Sequence, residues 1–186
     1  MSDACGRRSV LKLALALGIG LPREAPAQTP RALRPQKNDR FVFAGGERKG
    51  QTIMPGDVPP GGRPLTAYPL DPATKTVRDD SRLNEVLLVR LAPAALNDDT
   101  KARAADGIVA YSAICTHTGC DAWEWQPAAS IVKCSCHFSE FALNDGARVL
   151  SGPAPRRLPA LPLAIVDGAL VVADGFVGRP GFESPG

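Results

Sequence analysis

Cysteine and histidine are concentrated in one short stretch of this 186-residue chain, and that stretch constrains the fold more than any other feature. Both histidines and four of the five cysteines lie within residues 115–137. They form two groups, Cys-Thr-His-Thr-Gly-Cys at 115–120 and Cys-Ser-Cys-His-Phe-Ser at 134–139. Thiolate and imidazole together are ligands of zinc and of iron–sulfur centres. The sequence therefore predicts a metal centre built from two loops.

The two groups match the patterns Cys-x-His-x-Gly-Cys and Cys-x-Cys-His-x-Ser. Through these patterns the chain resembles the Rieske iron–sulfur proteins over roughly residues 85–175. The resemblance implies one [2Fe-2S] cluster per chain. In such a cluster, Cys115 and Cys134 would hold one iron, and His117 and His137 would hold the other.

The resemblance also implies a disulfide between Cys120 and Cys136, which would tie the two loops together. This extra pair is typical of the high-potential branch, found in quinol–cytochrome c oxidoreductases and in the small subunit of arsenite oxidase. The cytoplasmic Rieske ferredoxins lack it. In the chain-entropy model, closing a loop of about 16 residues is worth on the order of 3 kcal/mol.

Five further positions of the Rieske pattern concern the surroundings of the cluster. Ser139 matches a serine whose hydroxyl donates to a bridging sulfide, and Gly152 and Pro153 match a proline-bearing loop that covers the cluster. Phe141 stands where the respiratory-complex proteins have a tyrosine that donates to a ligand cysteine. Without that donor, we expect a lower reduction potential than in those proteins. Thr118 replaces a leucine that packs near the quinol, which argues against direct quinol oxidation.

Two other interpretations of the window differ in their chemistry. A structural zinc site also uses cysteine and histidine at short spacing. It would leave the choice of four ligands from six residues unexplained, and Cys-x-Cys-His is not a common zinc spacing. A Rieske oxygenase catalytic subunit needs a second, non-haem iron with two more histidines. Because the chain has only two histidines, the sequence excludes that class.

Glycine and proline account for 18 residues each, which favours a loop-rich β domain over a helical bundle. Asp167-Gly168 predicts a tight hairpin turn, and residues 98–105 predict one short helix. We expect an all-β fold, a Rieske-type antiparallel β-sandwich over residues 84–178, with a loop-built cluster-binding subdomain at about 113–145. Strands are predicted at residues 85–90, 108–113, 130–133, 148–150, 163–166 and 169–172.

The N-terminal residues 1–27 have the parts of a secretory signal peptide: paired arginines at 7 and 8, a short apolar run and a small-residue site ending at Ala27. The arginine pair resembles the twin-arginine export signal of bacteria. We expect a periplasmic product, or attachment to the membrane through an uncleaved leader or a partner. Residues 28–83 predict an N-terminal arm followed by an irregular Gly/Pro-rich excursion, and residues 179–186 predict a C-terminal tail.

The formal net charge of +3 is too small to predict nucleic-acid binding. The resemblance implies an exported one-electron carrier, the Rieske subunit of a respiratory or periplasmic oxidoreductase, passing electrons towards a c-type cytochrome. We expect an electron-transfer subunit rather than a catalyst by itself. The alternatives are the iron–sulfur subunit of a quinol–cytochrome c oxidoreductase proper and a zinc-stabilised binding module without redox activity.

Overall fold

Two antiparallel sheets and one hairpin form the framework in a computed structural model that describes residues 28–182. The predicted signal peptide and the last four residues of the predicted tail lie outside these described residues. Between residues 28 and 182, no helix is long and apolar enough to cross a bilayer. The antiparallel strand pairing confirms the predicted all-β class.

In the described residues the strands are β1 (Arg40–Phe43), β2 (Leu65–Asp71), β3 (Thr76–Val77), β4 (Val86–Arg90), β5 (Ile108–Ser112), β6 (Ala122–Gln126), β7 (Ile131–Cys134), β8 (Glu140–Ala142), β9 (Arg148–Ser151), β10 (Leu163–Val166) and β11 (Ala169–Val172). One helix, α1, covers Asp98–Lys101, and short 3-10 helices cover Pro30–Ala32, Pro55–Asp57, Arg82–Asn84, Pro93–Ala95, Pro127–Ala129 and Leu143–Asp145.

Strands β4 and β5 belong to the first sheet, whose order is β1-β2-β4-β5 with β3 paired to β2. Both are buried along almost their whole length. Because successive side chains of a strand point to opposite faces, Leu87 and Tyr111 enter one core, whereas Leu88 and Ala110 enter another. The first core leads towards the Cys/His loops, and the second contains the β10–β11 hairpin.

The second sheet is the meander β6-β7-β8-β9, and it carries the second Cys/His group at the turn between β7 and β8. Val132 and Phe141 of this sheet lie fully buried in the first core. The hydroxyl of Tyr111 in the first sheet donates to the carbonyl of Leu143 at 2.8 Å. Packing and a buried hydrogen bond therefore fix the second sheet on the first.

All six predicted strands are present, with ends that agree within one residue. The hairpin between β10 and β11 turns at Asp167 and Gly168, with φ angles of 49° and 74°, as the Asp-Gly pair predicts. The predicted helix begins at Asp98 but ends after one turn at Lys101, and its N-cap is Asn97.

The prediction of an irregular excursion before residue 84 is wrong, because β1, β2 and β3 lie there. β2 pairs with β4, with Ala67 opposite Val86. The sequence hides this strand because proline, which is rare inside sheets, occupies position 69. The first sheet therefore crosses the boundary predicted at residue 84.

The predicted arm before β1 is also held to the domain. Asp39 and Arg78 form a bidentate ion pair, with N–O distances of 2.6 and 3.0 Å, and both side chains are almost completely buried. The amide of Asn38 donates to the carbonyl of Val172 at 2.8 Å, which ties the arm to β11. These contacts make residues 38 and 39 part of the folded domain.

Candidate metal centre

Each Cys/His group folds as a turn closed by its own backbone. In the first loop, residues 115–120, the amide of Cys115 donates to the carbonyl of Cys120 at 2.7 Å, and that of Gly119 donates back to Cys115 at 3.1 Å. In the second loop, residues 134–139, the amide of Phe138 donates to the carbonyl of Cys134 at 3.0 Å. The first loop follows β5 and the second joins β7 to β8, so the two sheets position one loop each.

A disulfide between Cys120 and Cys136 joins the two loops, with 6.4 Å between their Cα atoms. This bridge confirms the pairing that the sequence resemblance implies. The sulfur atoms of Cys120, Cys136 and Cys134 all lie within 4.8 Å of one another. Because two of the three sulfurs are bonded to each other, this group is not itself a metal site. The bridge lies directly beside a free thiol.

The two cysteines left out of the bridge, Cys115 and Cys134, are each about 1% exposed. Burial, with a smaller contribution from the neighbouring Cys134, raises the pKa of the Cys115 thiol to about 11. The thiol is therefore protonated at neutral pH unless a metal takes the place of the proton. Two buried thiols side by side form the inner half of the site.

The two histidines form the outer half. The ring centroids of His117 and His137 lie 4.6 Å apart, with the ring planes at 85°. His137 is exposed, whereas His117 is half-buried. Within the described part of the chain, the buried Nδ1 atom of His117 has no hydrogen-bond partner. A buried polar atom without a partner is costly, and a metal bond would satisfy it.

A third segment, the proline-bearing loop at residues 152–157, lies against the second loop. The amide of Ala154 donates to the Oγ of the fully buried Ser139 at 3.1 Å. Gly152 has a φ of +87°, and a Cβ added there would lie 2.5 Å from Ser139 Cα. Only glycine permits this approach, so Gly152 places the proline-bearing loop directly against Ser139. Pro153 is exposed beside them.

Phe141 is fully buried in the same core as Cys115 and Cys134, on the strand that follows the second loop. Its ring supplies packing and no hydrogen-bond donor.

The sequence patterns give no signal for Phe138. It follows His137 directly, is 60% exposed and has a φ of +60°, which is uncommon for a bulky residue. The ammonium group of Lys133 lies 4.8 Å from its ring centroid.

The site contains two buried thiols and two neighbouring imidazoles, one of which has an Nδ1 without a hydrogen-bond partner among the described residues. This is the donor set of a Rieske cluster, which has two cysteines on one iron and two histidines on the other. Residues 73–162 match the sequence model of the Rieske [2Fe-2S] domain family. The chain carries a Rieske [2Fe-2S] domain. Its cofactor is therefore a [2Fe-2S] cluster.

Two curated relatives of this chain are named as Rieske subunits. The cytochrome bc1 complex Rieske iron-sulfur subunit of Streptomyces lividans is 37% identical over 108 residues, which are 55% of this chain and 64% of that protein. A putative respiratory nitrate reductase subunit Rieske of Haloferax mediterranei is 38% identical over 95 residues, 50% of this chain and 42% of that protein. The chain thus matches less than two thirds of the length of either relative.

Solved structures give a weaker likeness. The soluble domain of the Rieske protein II from Sulfolobus acidocaldarius is 25% identical to this Rieske chain, with a TM-score of 0.39. The aligned part covers 48% of this chain and 61% of that one.

The contact between Gly152 and Ser139 gives a first prediction. We expect Gly152→Ala to destabilise the holoprotein and to accelerate cluster loss, because the added Cβ displaces the proline-bearing loop from the second loop. Gly168→Ala is the matched control. It has a φ of +74° but no atom within 4 Å of the added Cβ, so it carries only the cost of the backbone conformation, about 1–2 kcal/mol.

Thermal unfolding would measure the stability of both variants. The decay of visible absorbance in the presence of an iron chelator would measure the lifetime of their clusters. Equal cluster lifetimes in Gly152→Ala and Gly168→Ala would show that the contact with Ser139 does not protect the cluster.

Proposed function

We propose that this chain is an exported one-electron carrier, the Rieske subunit of a respiratory or periplasmic oxidoreductase that passes electrons towards a c-type cytochrome. The observation that carries the proposal is the asymmetry of the site. The thiols of Cys115 and Cys134 are buried, whereas His137 faces solvent. A redox partner can therefore approach the histidine side closely while the protein covers the cysteine side.

In this proposal Cys115 and Cys134 would hold one iron, and His117 and His137 would hold the other. When bound, the cluster takes up and releases one electron at a time. The chain's own residues hold it in place and exclude water. Ser139 is fully buried beside the site, where its hydroxyl is available as a hydrogen-bond donor. The disulfide joins the two loops covalently.

A partner is supported by the relatives named above, which are called subunits of a cytochrome bc1 complex and of a putative respiratory nitrate reductase. Export is supported by the arginine pair and apolar run of residues 1–27. A disulfide between the loops also suits an oxidising compartment. We therefore propose a periplasmic location.

The second candidate is the iron–sulfur subunit of a quinol–cytochrome c oxidoreductase proper, which the cytochrome bc1 relative favours. Thr118 argues against it. This side chain is exposed, and its Oγ1 lies 3.7 Å from Cys120 Sγ. A small polar side chain at this position gives a quinol ring less apolar surface than leucine does. We therefore favour a redox partner other than quinol.

A redox titration of the purified holoprotein, with electron paramagnetic resonance of the reduced form at low temperature, tests the proposed function. We expect the rhombic signal of a Rieske cluster, appearing at a positive potential of at most about +300 mV. A midpoint potential of about −150 mV would contradict transfer towards a c-type cytochrome. A colourless protein with one zinc per chain would contradict electron transfer altogether.

Phe141 gives a second test, on the potential itself. We expect Phe141→Tyr to raise the reduction potential, because the added hydroxyl can donate to a ligand sulfur and stabilise the reduced cluster. One hydrogen bond is worth about 1 kcal/mol, which for one electron corresponds to about 40 mV.

Phe41→Tyr is the matched control for this titration, because Phe41 is equally buried but belongs to the second core. We expect that variant to keep the wild-type potential. An unchanged potential in folded, cluster-loaded Phe141→Tyr would contradict the role assigned to this position.

A further inference from the structure

Residues 177–182, here called the strap, return from the β10–β11 hairpin to the first cluster loop. Val177 and Ala160 exchange two backbone hydrogen bonds, of 2.8 and 3.3 Å. Pro180 and Gly181 are buried. Gly181 has a φ of +86°, and a Cβ added there would lie 2.7 Å from Leu83 Cδ2. The strap, which includes the first residues of the C-terminal tail predicted from residue 179 onwards, therefore packs on the domain.

The strap ends against the first cluster loop. A Cβ added at Gly119 would lie 2.8 Å from Cδ1 and 3.1 Å from Cε1 of Phe182. Gly119 has a φ of +80° and lies two residues after His117. The Phe182 ring thus occupies the space in which any other residue at this position would place its side chain.

Arg156 of the proline-bearing loop fastens the strap. Its Nη1 donates to the carbonyl of Arg179 at 2.6 Å, and its Nη2 donates to the carbonyl of Gly181 at 2.7 Å. The rigid fork of a guanidinium makes two such charge-assisted bonds at once, which an ammonium group on a flexible stem cannot reproduce.

The same arginine is also joined to the first loop by its backbone. The hydroxyl of Thr116, which is fully buried between Cys115 and His117, donates to the carbonyl of Arg156 at 2.6 Å. Arg156 is therefore connected to the first loop on both sides of His117. Its carbonyl accepts a hydrogen bond from Thr116, and its guanidinium is linked to Gly119 through the strap and Phe182.

We propose that Arg156 is a positioning residue for the cluster. By holding the strap in place, its guanidinium keeps Phe182 packed against Gly119. This packing fixes the backbone that would present His117 to the iron. Removing the guanidinium would leave the Thr116 bond in place and free the Gly119 side of the loop. His117 would then sample several orientations relative to His137. This role does not depend on which partner receives the electron.

Hydrogen–deuterium exchange and electron paramagnetic resonance of the holoprotein test the proposal. In Arg156→Met, we expect amide exchange in a peptide covering residues 115–120 to accelerate at least about tenfold, since hydrogen bonds to a charged group are lost. We also expect broadened lines in the spectrum of the reduced cluster, because the histidine geometry becomes heterogeneous. A purely structural role would lower the unfolding temperature and leave both readouts unchanged.

Arg157→Met is the matched control. It removes the same charge from the next residue, but its guanidinium lies against Gly146, where an added Cβ would meet Nη1 at 2.7 Å. We expect wild-type exchange and line widths in this variant. Arg156→Lys should restore little of the protection, because it keeps the charge without the fork.

Phe182→Ala tests the same connection between the strap and Gly119 while leaving Arg156 unchanged. It replaces Arg156→Met as the test if that variant fails to assemble a cluster. We expect it to accelerate exchange in residues 115–120 as Arg156→Met does. The double variant should add little, because the two residues act in series. Wild-type exchange in Phe182→Ala, or equal effects of Arg156→Met and Arg157→Met, would overturn the proposal.

Discussion

The contact between the two cysteine-bearing turns is the interaction on which the rest of this structure depends. Each turn is closed by its own backbone hydrogen bonds, but neither holds a complete set of ligands. The Cys120–Cys136 bridge fixes them face to face, with the free thiol of Cys134 beside the bridge. Since the turns belong to different sheets, the packing of those sheets around Tyr111 and Phe141 also sets the dimensions of the site.

Burial divides the site into two sides with different chemistry. On the inner side, burial favours the protonated thiol of Cys115, so that metal binding is coupled to the release of a proton. On the outer side, His137 is exposed and His117 is half-buried. In the proposed function, a cluster held between these sides would be covered by protein on the cysteine side and accessible to a partner on the histidine side. The proline-bearing loop packs on Ser139 of the second loop, and the strap packs on Gly119 of the first loop.

The cluster loops and the central strands could be predicted because their signals are local. Six residues at fixed spacing identify the metal chemistry, and the apolar run of β4 is buried on both faces. Other elements depend on partners far away in the sequence. Pro69 hides β2, which pairing with β4 nonetheless stabilises. In β6 a bulge between Ala122 and Glu124 interrupts the alternation of apolar and polar residues. No local pattern indicates that Phe182 packs on Gly119.

In the proposed cluster, two cysteines would hold one iron and two histidines of the same two loops would hold the other. Nitrogen hyperfine spectroscopy of the reduced holoprotein tests this assignment most directly, because unpaired spin on the cluster couples to directly bound imidazole nitrogens. We predict couplings from two nitrogens, one of which disappears in His137→Cys if that variant retains a cluster. Coupling to a single nitrogen, or to none, in the wild-type protein would contradict the assignment of His117 and His137 as ligands.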